Sequence, residues 1–186
     1  VELCEKSIDQ KLKWPYTLNT EKHSNFINPE VLMSDNSIRT VGPKNAKKAI
    51  AKAIQKRRPV FLWGPPGIGK SDIVKQIGDD AGREVIDVRL ALWEPTDIKG
   101  IPYYNSDKGK MVWSPPEELP TDPESTAIIF LDELNSAPPA VQAAAYQLIL
   151  NRKVGTYSLP KGVDLVAAGN REGDKGVTYR MPSPLA

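Results

Sequence analysis

The chain has 186 residues, 40% hydrophobic and 26% charged, with a formal net charge of +2 from 25 basic and 23 acidic side chains. This is ordinary for one well-buried soluble domain with a small appendage, and no apolar run approaches the length of a membrane span. The opening residues Val1 to Lys6 do not form a signal peptide, and one cysteine, Cys4, permits no internal disulfide and points to a reducing, cytoplasmic compartment.

Residues 1–40 are rich in Asn, Ser, Thr and Lys without clear periodicity, and are expected to be a leader, partly ordered at best. The one histidine, His23, falls there as a surface residue, and nothing in the chain has the spacing of a protein-only metal site. Lys44 to Arg58 follows as a helix with Ala46, Ala49, Ile50, Ala53 and Ile54 as its apolar stripe. Its basic residues Lys44, Lys47, Lys48, Lys52, Lys56, Arg57 and Arg58 have no interleaved aromatics, so they read as a solvated face rather than a nucleic-acid platform. Pro59 to Trp63 is a short apolar strand, and Lys70 to Gly82 a second helix with Ile73, Val74 and Ile77 at helical spacing. Arg83 to Val88 is a second strand. Residues 89–126 hold Trp93, Tyr103, Tyr104, Trp113 and six prolines, and are expected to be irregular, folding on the body or on a partner.

Ala127 to Leu131 is a continuous apolar run of the buried parallel type. Asn135-Ser136 is expected to cap a helix with Pro138 or Pro139 in its first turn, running to about Arg152. Lys153 to Pro160 suggests a short hairpin, and Val163 to Ala168 a further buried strand ending at Gly169-Asn170. Strands alternating with helices predict an α/β fold, a parallel sheet with helices on both faces and ligands at the carboxyl ends of its strands.

The chemistry lies at those ends. Gly64-Pro65-Pro66-Gly67-Ile68-Gly69-Lys70-Ser71 matches G-x-x-x-x-G-K-[ST] and has the strand before it and the helix after it that a phosphate loop requires. Its glycines let backbone N–H groups turn around the phosphates of ATP, and the helix N-terminus adds partial positive charge. Lys70 is expected to reach the β- and γ-phosphates and the Ser71 hydroxyl to sit on Mg²⁺. Asp132, after four apolar residues, is expected to hold Mg²⁺ opposite Ser71. Glu133 is the candidate base that deprotonates the attacking water, and Asn170 the candidate donor to the γ-phosphate. Arg152, Arg171 and Arg180 are all open as the cationic finger for the developing charge.

In order, GPPGIGKS, IIFLDE and VAAGN resemble the motifs of the AAA+ ATPases, P-loop NTPases. DIKGIPYY with the downstream W-x-P-P-E-E-L-P, and LDELNSAPPAVQAAAYQLILNRKVG followed by SLP, resemble the MoxR-like, dynein-related branch, over roughly residues 41–186. The resemblance implies an AAA+ core with an insertion, about residues 89–126, before the acidic strand. It implies ATP hydrolysis between subunits of a homo-oligomeric ring, usually a hexamer, coupled to remodelling of a protein client. A von Willebrand-type partner is implied too. Family members continue past a segment like Met181 to Ala186 into an Arg-Phe finger, a last core strand and a helical lid. These are expected to be absent here, leaving four strands and a chain that needs a neighbour for full turnover. Helicases and magnesium chelatases share the insertion and hairpin, so a DNA motor with Lys153 and Lys161 on nucleic acid is an alternative. A nucleotide-gated binding module is another.

Overall fold

Amphipathic helices alternating with fully apolar strands can bury both surfaces only as layers, helix against sheet against helix. The computed structural model describes residues 2–3, 17–18, 39–171 and 179; Cys4, His23, Arg180 and residues 181–186 lie outside them. In chain order come β1 (Glu2–Leu3), β2 (Thr17–Leu18), β3 (Arg39–Thr40), α1 (Pro43–Gln55), β4 (Val60–Trp63), α2 (Lys70–Ala81) and β5 (Val85–Arg89). Then follow α3 (Pro95–Lys99), β6 (Ile101–Asn105), β7 (Lys110–Ser114), β8 (Ile128–Asp132), α4 (Pro139–Asn151), β9 (Lys153–Val154), β10 (Tyr157–Ser158) and β11 (Asp164–Gly169).

Five strands form one parallel sheet in the order β2-β4-β11-β8-β5. Strand alternation sorts its side chains into two cores. Val60, Leu62, Ile128, Phe130, Val166 and Ala168 pack with Ala46, Ile50, Ile73 and Val74 of α1 and α2. Phe61, Ile129, Leu131, Leu165 and Ala167 pack on the other face with Val141, Ala145 and Leu148 of α4. The parity continues past the strand ends. Asp132 is in step with Ile128 and Phe130, and Asn170 with Val166 and Ala168, so both belong to the α2 side of the sheet.

Three expectations change. The sheet has five strands, not four, because Thr17-Leu18 from the polar leader pairs with Phe61-Leu62 along the outer edge of β4. That edge would otherwise present unpaired backbone groups. Residues 89–126 are not simply irregular. They include a 3₁₀ turn at Leu90–Leu92, α3 with a Glu94/Asp97 capping box, and the antiparallel ribbon β6–β7. Ile98 and Leu119 anchor this stretch in the core, while Ile101, Tyr103, Tyr104 and Met111 of the ribbon stay exposed. Finally, Asn135 and Ser136 do not cap α4. They lie in a separate 3₁₀ turn, Leu134–Ser136, and α4 starts at Pro139 with Pro138 as its uncapped preceding residue. The two prolines force that separation: Ala137, ahead of Pro138, is extended at φ −72°, ψ 152°, a conformation no helix passes through.

Candidate nucleotide site

The phosphate loop leaves the carboxyl end of β4 and enters α2. Gly67 (φ 77°) and Gly69 (φ 81°) take left-handed conformations that a side chain disfavours, the backbone a phosphate-binding turn needs. Gly69 is also the residue preceding the first turn of α2, so the loop leads directly into the helix N-terminus. Lys70 is 8% exposed, and its Nζ donates to the carbonyls of Gly64 (2.8 Å) and Pro65 (3.0 Å) and to Asn170 Oδ1 (3.1 Å). Its ammonium therefore lies against the loop's own backbone and touches the end of β11. Ser71 Oγ donates to Asp132 Oδ2 at 3.2 Å, joining α2 to the end of β8.

Glu133 is half-buried and left-handed at φ 55°, ψ 34°; its N–H donates to Asp132 Oδ1 at 2.8 Å. That bond and the one from Ser71 hold the Asp132 carboxylate by both oxygens. On the neighbouring strand Arg89 pairs in register with Asp132, and Asp87 with Phe130. The Asp87 carboxyl is held above its ordinary range by desolvation and then by the charge of Asp132, with Arg89 opposing. Asp87 and Arg89 are site-edge residues that sequence reasoning missed. Their signal was the alternation Asp87-Val88-Arg89 at the end of a strand.

The predicted site residues therefore meet: loop, Lys70, Ser71, Asp132, Glu133 and Asn170 share the carboxyl edge of the sheet. The finger candidates do not share one place. Arg152 Nη2 donates to the carbonyls of Pro160 and Val163, both at 2.7 Å, ahead of the amino end of β11 and away from the loop. Burial lowers its pKa, with Asp164 opposing that effect. Arg171 directly follows Asn170 at the site edge, and Arg180 lies outside the described residues.

A parallel sheet with a glycine-turned phosphate loop and facing acids at its carboxyl edge defines a P-loop nucleoside-triphosphate-binding core. Residues 59–177 match the AAA domain, dynein-related subfamily, and the chain belongs to that family. It is 35% identical over 122 residues to Midasin of Giardia intestinalis; the match covers 63% of this chain but only 2% of that protein's length. A solved Cytophaga hutchinsonii protein assigned as an ATPase is similar in fold, with TM-score 0.54 and 23% identity over 76% of this chain and 42% of its own. NtrX from Brucella abortus gives 0.47 at 18% identity, covering 69% and 30% of the two chains. Among the described residues no helix is long and apolar enough to cross a membrane.

Proposed function

We propose that this chain binds ATP with Mg²⁺ on residues 64–71, Ser71, Asp132 and Asn170, and hydrolyses the γ-phosphate, with residues 41–186 as the ATPase core. The carrying observation is the joining of three strand ends by two side-chain contacts, Lys70 to Asn170 and Ser71 to Asp132. The loop N–H groups and the N-terminus of α2 would bind the phosphates, and Lys70 would neutralise their charge. Ser71 Oγ and the Asp132 carboxylate, 3.2 Å apart, are the hard oxygen ligands that suit Mg²⁺. When bound, that ion supplies charge neutralisation to the phosphate oxygens. Glu133 takes a proton from the attacking water as its oxygen bonds phosphorus, while the bond to ADP breaks and inorganic phosphate leaves.

The finer reading is of MoxR type: a homo-oligomeric ring, hexameric by resemblance, that remodels a protein client beside a von Willebrand-type partner in the cytoplasm. It rests on the family match, and the exposed ribbon of the insertion is the surface it would offer a partner. Trp113 N–H donates to Thr156 Oγ1 (3.2 Å) and Thr156 Oγ1 donates to Trp113 O (3.0 Å), latching ribbon β6–β7 to the turn between β9 and β10. Because β9 follows α4 directly, the exposed ribbon is one short step from the helix behind the acidic strand.

Two substitutions test the chemistry. Lys70→Ala should weaken binding of a fluorescent ATP analogue at least ~100-fold, since a charge-assisted phosphate contact and the link to Asn170 are both lost. Glu133→Gln should bind the analogue normally and lose turnover by ~10²–10⁴-fold. Unchanged hydrolysis in the second variant would sink Glu133 as the base. Mass measurement with and without the analogue tests the ring.

A further inference from the structure

Asn135 is 2% exposed and follows Glu133 by two residues, yet its side chain serves neither α4 nor its own turn. Both ends of its carboxamide go to one residue on another strand. Oδ1 accepts the Asn170 N–H at 3.0 Å, and Nδ2 donates to the Asn170 carbonyl. The carboxamide thus stands in for the next strand of the sheet, gripping the peptide groups on both sides of the Asn170 Cα where β11 has ended. The contact needs a glycine beside it, since a Cβ on Gly169 would lie 2.6 Å from Asn135 Oδ1. Asn135 is anchored in turn: its own carbonyl accepts from the Tyr179 N–H at 2.8 Å, while Gln142 Nε2 donates to Ala137 O at 2.9 Å in the same buried corner.

We propose that Asn135 is a positioning residue for γ-phosphate recognition, acting through Asn170. With its backbone held on both sides, Asn170 has one set place for its carboxamide, against Lys70 Nζ at 3.1 Å. The clamp also ties the end of β11 to the turn that carries Glu133. The group that would meet the γ-phosphate and the base that would activate water then move as one unit. This rests on the nucleotide reading above and assigns a further residue to that site.

The test compares Asn135→Ala, Asn170→Ala and the double variant in the full chain, titrating each with ADP and with a non-hydrolysable ATP analogue in the presence of Mg²⁺. The expected result is an unchanged ADP affinity, within threefold, and a loss of the preference for the triphosphate of at least tenfold in both single variants. The double variant should lose no more than Asn170→Ala alone, because the two residues act in series. A purely structural role would lower the melting temperature and weaken both nucleotides alike. Should Asn135→Ala fail to fold, Gly169→Ala displaces the same clamp from the other side, and Asn135→Asp retains the acceptor while losing the donor. Losses that multiply in the double variant overturn the clamp, as does an Asn135→Ala protein that keeps its triphosphate preference; either leaves the nucleotide reading intact. A wild-type chain that binds neither nucleotide overturns that reading and the clamp with it.

Discussion

Glu133 holds φ 55° and ψ 34°, and this backbone costs a residue with a Cβ about 1 kcal/mol or more. Glycine removes that cost but gains freedom in the unfolded chain, which returns roughly 0.5 kcal/mol. Glu133→Gly should therefore stabilise the fold by about 0.5–1 kcal/mol, a rise in melting temperature of roughly 1–4 °C for a domain of this size. The same substitution removes the proposed base and should cut turnover by ~10²–10⁴-fold. Glu133→Gln is the internal control: it keeps the left-handed strain, so its melting temperature should stay near wild type while turnover falls as far. Nucleotide-free calorimetry and steady-state phosphate release measure the two effects on the same samples. A lower melting temperature for Glu133→Gly would refute the strain argument. Turnover within tenfold of wild type would refute the base.

Asp164 is 4% exposed and meets Arg83 Nη2 at 2.7 Å and Arg57 Nη1 at 3.1 Å. Asp164→Asn leaves the better buried Arg83 without its counter-charge and should cost about 3 kcal/mol in a urea titration. Arg57→Ala, at a side chain 55% exposed, should cost ~1 kcal/mol or less, and equal costs would contradict this ranking. Burial raises the Tyr157 phenol to about 12 from 10.0, with Arg152 pulling the other way, and its hydroxyl donates to Pro120 O at 2.6 Å. The fold thus favours the neutral phenol, so this contribution is whole below pH 10 and is lost as pH rises through about 12; Tyr157→Phe should flatten that alkaline limb in melting curves. Tyr146 has a buried hydroxyl with no hydrogen-bond partner among the described residues. Tyr146→Phe should raise stability by up to ~1 kcal/mol, and a loss of that size would mean the hydroxyl is satisfied.

Local chemistry was legible where one short segment sets it. The glycines, lysine and serine of 64–71 carry their own geometry, and a continuous apolar run such as Ile128 to Leu131 has few homes besides a buried parallel strand. What stayed hidden depends on partners distant in sequence. Thr17-Leu18 has no pattern of its own and becomes a strand because β4 has an open edge. The ribbon β6–β7 leaves Ile101, Tyr103 and Tyr104 outside, so its residues lack the apolar–polar alternation that marks a half-buried strand. Asn135 stands at the right spacing before prolines to look like a helix cap. Its real partner is 35 residues away, and no local pattern reveals that.

Among the described residues, the two ends of the sheet hold charged side chains in different settings. At the amino ends, charges are neutralised within the fold: Asp164 by two arginines, Lys47 by Asp80 at 2.8 Å, with an open pocket of about 290 Å³ between α1 and α2 lined by these same pairs. At the carboxyl ends, neutral groups are among the partners of both Lys70 and Asp132. Lys70 rests on two carbonyls and an amide, and Asp132 on a hydroxyl and an N–H. Neutral partners are cheaper to exchange. The central strand contributes to this arrangement, because β11 lies between β4 and β8 and Asn170, the residue after its end, accepts from the lysine of the loop that follows β4.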